Sequence, residues 1–487
     1  RGGRRSRVGV MKCPPPLLRA LVSALLVLCH ILPVLALPSR AWAQGRAAAP
    51  PIVTIRDAET ETLIRSIAEP LFRAAGVDPA LVRITLIQNR AINAFVTTGN
   101  RLFIHTGLIQ QASGASELVG VLAHETGHIA GGHLARMPEQ MRAAMIRSIV
   151  AMLLGGAAAA ASGRGDAAAA IALGGQAVAM NELYAFSRQQ EQAADQAAVT
   201  LLERNGWSPR GLERLLQRLQ DQELLSVSRQ DPYLRTHPLS RDRLEFVREQ
   251  LGRSRYADAP LPASIEAGFA MVRAKLDGFL ESGSVVWRRY PERDRSAPAR
   301  YARAIQYFRS GRIDEAARML DELIREQPSS PWLHEMKGQV LFEGGRPREA
   351  VAAYREAVRL APAQPLIRTS YGRALMETGD PAMLRQAIEE LEASLRLERD
   401  SAFTWRQLGI ARGRAGQPAL ADLALAEEAL LDGDYPTARR LARRAEQALP
   451  PGPARLRATD LRNAARRDNM TREERELEDR MRREGRR

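Results

Sequence analysis

Three glycines set tight limits on what this chain can fold into. Gly311, Gly345 and Gly379 are spaced 34 residues apart, and Pro328 and Pro362 keep the same step. Each glycine lies between two stretches of helical apolar periodicity, and small residues recur in the second stretch (Ala316-Ala317, Ala350, Ala387). A unit of that length is one helical hairpin. Alone it cannot bury its apolar face, so successive hairpins must stack into a solenoid. The third unit carries a small insertion around Pro381–Leu384. A looser fourth unit runs from Ser401 past Gly416, and Gly433-Asp-Tyr-Pro436 marks a last half-unit.

The 34-residue step is the signature of tetratricopeptide repeats. They are expected over 299–450, behind a linker at 271–298 enriched in Pro, Asp and Arg near its end. Residues 451–487 are expected as a solvated, charged tail. Its arginines lack interleaved aromatics, so no nucleic acid is expected as a partner. At 487 residues the chain exceeds one typical core, and residues 44–270 are expected to form a second domain. Residues 1–43 hold Arg1, Arg4, Arg5, Arg7, Lys12, Arg19 and Arg40 and no acidic residue. An apolar run from Leu17 to Leu37 follows the basic start and leads to Ala41-Trp42-Ala43, a small-x-small cleavage site. This pattern predicts a cleaved signal peptide with Gln44 as the mature start. Both cysteines, Cys13 and Cys29, fall inside it. The mature chain then has no disulfide and no thiol ligand, and any metal site must be built from histidine and carboxylates.

The chemistry points to Val121-Leu-Ala-His124-Glu125-Thr-Gly-His128-Ile129. Leu118, Val121, Leu122 and Ile129 recur at helical spacing, with Ser116 as the expected cap and Gly131-Gly132 as the stop. Residues four apart share a helix face, so His124 and His128 can aim two nitrogens at one Zn²⁺ per chain. Glu125 is placed to polarise a water there and shuttle its proton. Catalytic zinc usually takes three protein ligands, and here the third is His133, His237 or a carboxylate. A His-Glu-x-x-His-x-x-Gly-x-x-His spacing would need its last histidine at Leu134, so that pattern fails. Glu191 and Asp195, four apart among alanines, fit as a ligand with a supporting carboxylate behind it. Ser187-Arg-Gln-Gln190 reads as a capping box opening their helix.

Before the zinc helix, Asp57 to Ala75 reads as an amphipathic helix, and Val82–Ile87, Ala94–Thr97 and Arg101–His105 read as strands. A strand edge close to the zinc helix suits an extended peptide added by main-chain hydrogen bonds. Between Met141 and Met180, two Ala/Gly-rich apolar blocks (Ile149–Ala161 and Ala167–Met180) flank Ser162-Gly-Arg-Gly-Asp166. Each is too short to span a bilayer. Close packing on the catalytic core is the expectation, against a lid or a surface-seeking hairpin. The fold expected is mainly α: an α+β zincin-like domain with a small sheet, followed by an α-solenoid.

Asn93-Ala94-Phe95, Thr106-Gly107-Leu108, His124-Glu125-x-x-His128 with His133, and Ser187-Arg188-x-x-Glu191-x-x-Ala194-Asp195 occur in the order of the M48 zinc metallopeptidases. With the signal peptide and the repeats, the chain resembles the periplasmic, barrel-assembly subgroup of that family. The resemblance implies zinc on His124, His128 and Glu191, with Glu125 as catalytic base. It implies supporting or regulatory roles for Asp195, Arg188 and His133, and substrate contact at Asn93, Ala94 and Phe95. It further implies that the histidine of His237-Pro238-Leu239 can take the fourth zinc position and hold the enzyme latent. The expected function is a periplasmic zinc endopeptidase in quality control of outer-membrane proteins. Its repeats would hold unfolded or stalled substrates or the barrel-insertion machinery, with room for peripheral contact with the outer membrane. Departures lie at Gly132, Ala198, Thr98 and Asn100, none of them a ligand. The rival reading is a periplasmic chaperone or scaffold that binds through the repeats and keeps a latent or structural zinc site.

Overall fold

The computed structural model describes residues 52–162, 165–221, 233, 237, 241–466, 475–476 and 479–480. The expected signal peptide, residues 163–164, Pro238-Leu239 and most of the tail beyond 466 lie outside the described residues.

Helix α1 (Ala58–Ala74) starts where Asp57 accepts a hydrogen bond from the Thr60 N–H at 2.8 Å. It stops at Gly76, whose φ of +72° lies in the left-handed region that a side chain disfavours. Leu63, Ile64, Ile67, Leu71 and Phe72 form its buried stripe. The stripe joins an apolar core shared with a four-stranded sheet: β1 (Thr54–Ile55), β2 (Arg83–Ile87), β3 (Ala94–Thr97) and β4 (Arg101–His105), in the order β1-β2-β4-β3. β2 and β4 run parallel, and the outer pairs run antiparallel. Among the described residues β3 is therefore an edge strand, paired with β4 alone and tied to it by a turn through Gly99 and Asn100, both at positive φ.

After a short helix, α2 (Thr106–Gln111), comes α3 (Ala115–Ala130), which carries His124, Glu125 and His128. Its cap is Gly114 rather than Ser116. Ala115 is fully buried, so packing fixes the first turn one residue before Ser116 could cap it. Gly131 and Gly132, the latter at φ +60°, end the helix as expected.

The next two helices are much longer than the sequence pattern implies. α4 (His133–Ser162) and α5 (Gly165–Arg204) form one helical hairpin and absorb both Ala/Gly-rich blocks. Ser187 does not open a helix but sits inside α5. No Gly or Pro occurs between 176 and 205, so nothing breaks the backbone ladder there. Close helix approach depends on glycine. A Cβ on Gly127 would lie 2.8 Å from the Ala194 carbonyl oxygen, bringing α5 against α3. Helix α6 (Arg210–Gln220) crosses α3 the same way at Gly120, where a Cβ would meet the Leu212 backbone nitrogen at 2.6 Å. Helix α7 (Arg241–Arg253) packs on α5 and α6.

The stretch expected as a linker, 271–298, takes in the second half of α8 (Ala263–Leu280) and all of α9 (Gly283–Arg289). α8 buries Phe269 and Val272 against the first core, while Ala274 packs with Val286 and Ala299 on the repeat side. Asp277 is buried on it and accepts from Gln110 at 3.0 Å, Arg289 at 2.6 Å and Tyr290 at 2.8 Å. The repeats follow as hairpins α10/α11 (Ala297–Arg309, Ile313–Glu326), α12/α13 (Pro331–Glu343, Pro347–Leu360), α14/α15 (Pro365–Met376, Pro381–Leu397) and α16/α17 (Ala402–Arg414, Pro418–Leu431), closed by α18 (Tyr435–Ala448) and α19 (Pro453–Ala464). Gly311, Gly345 and Gly379 all adopt φ near +75° in the hairpin turns, which explains their fixed step.

The start of α1 is held among the repeats. Ala58 belongs to the apolar cluster of Leu341, Ala350 and Tyr354. Lys275 is buried between Asp57 at 2.5 Å and Glu59 and Glu335 at 3.4 Å, and Tyr301 donates to Glu59 at 2.9 Å. Among the described residues, no helix is long and apolar enough to cross a membrane.

Candidate metal centre

Two helices and one loop residue build the site. α3 supplies His124 and His128 one turn apart, α5 supplies Glu191 and Asp195 one turn apart, and His237 enters from the segment before α7. His124, His128, Glu191 and His237 are all buried and offer ligand atoms that lie within 4.8 Å of one another. His124 Nε2 and His128 Nε2 are 3.0 Å apart, and each lies 3.3 Å from a Glu191 oxygen.

These spacings fit a metal. Ligand atoms about 2.1 Å from a tetrahedral zinc ion stand about 3.4 Å from one another. The outer nitrogens of both histidines are committed elsewhere, which turns the inner ones toward the centre. His124 Nδ1–H donates to Asp195 Oδ1 at 2.8 Å, and His128 Nδ1 pairs with His133 Nδ1 at 2.9 Å. Two imidazole nitrogens and the Glu191 carboxylate converge there, a donor cluster in which a cation can take the place of the bridging protons. The donor set of nitrogen and oxygen without thiolate suits Zn²⁺.

The electrostatics point the same way. Burial opposes charge on His124, but the hydrogen bonds to Asp195 and Glu191 outweigh it and push its pKa up to about 9. Burial likewise opposes ionisation of Glu191, yet the bonds from His124 and His128 hold it well below the usual carboxylate range. The pocket is thus set to hold positive charge next to an ionised Glu191. Burial depresses His128, holds His133 near 4, and keeps His237 well below its ordinary value, so these imidazoles stay neutral and able to ligate.

Glu125 lies beside the ligands, fully buried. Neither of its oxygens has a well-formed hydrogen bond, and its nearest ionisable neighbour is His237 Nε2, 3.3 Å from Oε1. Burial raises its pKa to about 8, against the opposing His124 charge and the backbone of Val96. A buried carboxylate with spare acceptor capacity and a raised pKa is suited to receive and release a proton near neutral pH. Val96 is on β3, so the edge strand runs directly past this carboxylate. Asn93 and Ala94 are buried at its start, and Phe95 stacks on Phe103 with ring centroids 5.2 Å apart.

Arg188 is not brought to the site; it is exposed on α5. The cation that is there is Arg243 of α7, which sequence inspection missed. Its Nε and Nη2 reach Asp195 Oδ2 and Oδ1 at 2.6 and 3.0 Å, and its Nη1 reaches Glu191 Oε2 at 2.9 Å. Tyr233 was missed as well. It stacks on the His237 ring with centroids 4.4 Å apart, and its carbonyl accepts from the His237 N–H at 2.8 Å. One of several arginines in a charged segment gives no sequence signal, and Tyr233 four residues before His237 gives only a weak one.

Fold and site together define a class: an α+β domain with a His-Glu-x-x-His helix and a carboxylate on a second helix, joined to a helical-repeat solenoid. Residues 58–251 match the model of Peptidase family M48, and those of tetratricopeptide repeats match at 301–365, 335–401 and 419–444. The chain is 31% identical over 256 residues to the "Beta-barrel assembly-enhancing protease" of Escherichia coli (strain K12), covering 51% of each chain. The protein of that name from Yersinia pestis is 29% identical over 267 residues, covering 52% of each. "Metalloprotease LoiP" of Escherichia coli (strain K12) is 26% identical over 222 residues, 41% of this chain and 82% of that one. The chain thus spans about half the length of the beta-barrel assembly-enhancing proteases it matches.

Proposed function

We propose that this protein is a zinc endopeptidase of the Gram-negative periplasm that acts in outer-membrane protein assembly and removes misfolded or stalled chains. The observation that carries the reading is the convergence of His124, His128 and Glu191 within ligand distance of one another, with Glu125 buried at their side. Zinc held by those three residues would supply Lewis acidity and acidify water near neutral pH. Glu125 would take a proton from the attacking water and return it to the leaving amine. Asp195 and His133 would hold the two ligand imidazoles in the required tautomers. A substrate segment would lie extended along β3 at Asn93-Ala94-Phe95, antiparallel or parallel to the edge. The names of the relatives support the assembly role, and the repeats suit protein partners.

His237 would keep the site shut. Its ring is a fourth candidate ligand, buried under Tyr233, in the place a catalytic water needs. The same observation favours a second reading, in which the repeats act as a chaperone or scaffold and the four-residue site is structural. The two separate in one experiment: zinc content and cleavage of casein or an unfolded barrel protein by wild type, Glu125→Gln and His237→Ala. The peptidase reading expects full zinc in all three, no cleavage by Glu125→Gln and faster cleavage by His237→Ala. Absence of cleavage in wild type and His237→Ala, with zinc bound, would favour the scaffold.

A further inference from the structure

The α4–α5 hairpin carries a feature that peptide hydrolysis does not use. Large apolar side chains stand in solvent along both helices: Met141, Met145 (63% exposed), Ile146, Ile149, Val150 and Leu154 (61%) on α4, with Val178 (57%) and Tyr184 on α5. They follow one another at helical spacing over a broad arc of α4. Among the described residues, and beyond the other arm of the hairpin, α4 packs appreciably only on α3.

The sequence of the hairpin separates the covers such a surface could have. Residues 148–163 and 167–181 contain no charged residue at all. A helix that docks one face on a protein keeps a charged face toward water. A helix apolar around its whole circumference belongs in a core or in lipid. The proximal part of α4 adds exposed Arg136, Arg142 and Arg147 against a single acid, Glu139, so its charge complements anionic headgroups. Long arginine stems can lie along apolar surface while the heads reach phosphate. Neither uncharged stretch is long enough to span a bilayer.

We propose that the outer half of the α4–α5 hairpin is a lipid-docking element, seated on an anionic bilayer without crossing it. The apolar arc enters the headgroup–acyl boundary, and Arg136 and Arg142 meet lipid phosphates. α5 runs unbroken from this region into the metal site. From Val178 to Glu191 is thirteen residues, about 20 Å of helix. Docking would therefore hold the site close to the membrane surface, beside chains that are inserting there.

The test is flotation of the full chain with vesicles. Wild type is expected to float with phosphatidylglycerol/phosphatidylethanolamine vesicles and much less with phosphatidylcholine. Ile149→Asp/Leu154→Asp is expected to lower the floated fraction at least about tenfold, and Arg136→Ala/Arg142→Ala to abolish the preference for anionic lipid. All four positions are exposed, so zinc content and circular dichroism should match wild type. Leu456→Asp, an exposed apolar residue on α19, should float as wild type does. Three results would overturn the proposal: wild type that stays with the soluble fraction, flotation untouched by Ile149→Asp/Leu154→Asp, or a concentration-dependent oligomer without flotation that the same pair dissolves. The last would assign the surface to a second copy of the chain.

Discussion

Replacing Arg243 tests the electrostatic frame of the centre more directly than changing a ligand. Its guanidinium is about 1% exposed and serves three carboxylate oxygens, two on Asp195 and one on Glu191, at 2.6–3.0 Å. Arg243→Met fills similar volume but leaves two buried carboxylates facing only imidazoles. Breaking a buried pair in this way costs about 3–5 kcal/mol, because the remaining charge has no partner and no water. The metal-stripped variant should lose that amount in equilibrium urea unfolding, and zinc should restore part of it by compensating Glu191. Asp195 also sets the His124 ring through Nδ1, so loosening it should weaken zinc binding roughly 10–100-fold, read by competition with a chromogenic chelator. Arg243→Lys should fall between, since one compact ammonium cannot bridge three oxygens held by a planar fork. Unfolding and zinc affinity both unchanged in Arg243→Met would refute the reasoning.

Other positions give shorter tests. Gly127→Val should push α5 away from α3, because even a Cβ there meets the Ala194 carbonyl at 2.8 Å; zinc affinity should fall while the repeats stay folded by far-ultraviolet dichroism. Tyr233→Ala should mimic His237→Ala in part by removing the ring that stacks on His237, giving faster casein cleavage at unchanged zinc content. Glu59 is pushed up to about 7, chiefly by burial. A raised carboxyl pKa means that the native state holds its proton longer than the unfolded chain. Stability is therefore lost as pH rises from about 4.5 through 7, by up to about 3 kcal/mol. Glu59→Gln should flatten that decline in urea unfolding, with no difference from wild type below pH 4.

The strands, the ends of α1 and the repeat glycines were legible because each has a local cause. Asp57 caps through its own side chain, and Gly311, Gly345 and Gly379 each take a left-handed turn that other residues resist. The errors arose where packing outranked a local signal. Ser187-x-x-Gln190 has the form of a helix start but lies inside α5, since an unbroken helical chain on both sides gives the backbone better partners than a side-chain cap. Ser116 lost the cap of α3 because buried Ala115 had to enter the first turn.

By itself, then, the sequence determined the stacked hairpins and the two-histidine face of α3 with its adjacent glutamate, because spacing alone carries those. It also proposed Glu191, Asp195 and His237 as partners. Only the tertiary structure decided that these side chains meet within ligand distance, that His133 rather than solvent faces His128, and that Arg243 in place of Arg188 neutralises the carboxylates. Apart from His133 and His128, five positions apart, those choices depend on residues 48 to 113 positions apart being brought together, with α5 meeting α3 at Gly127. A crossing is set by which surfaces can approach, and no local run of residues encodes it.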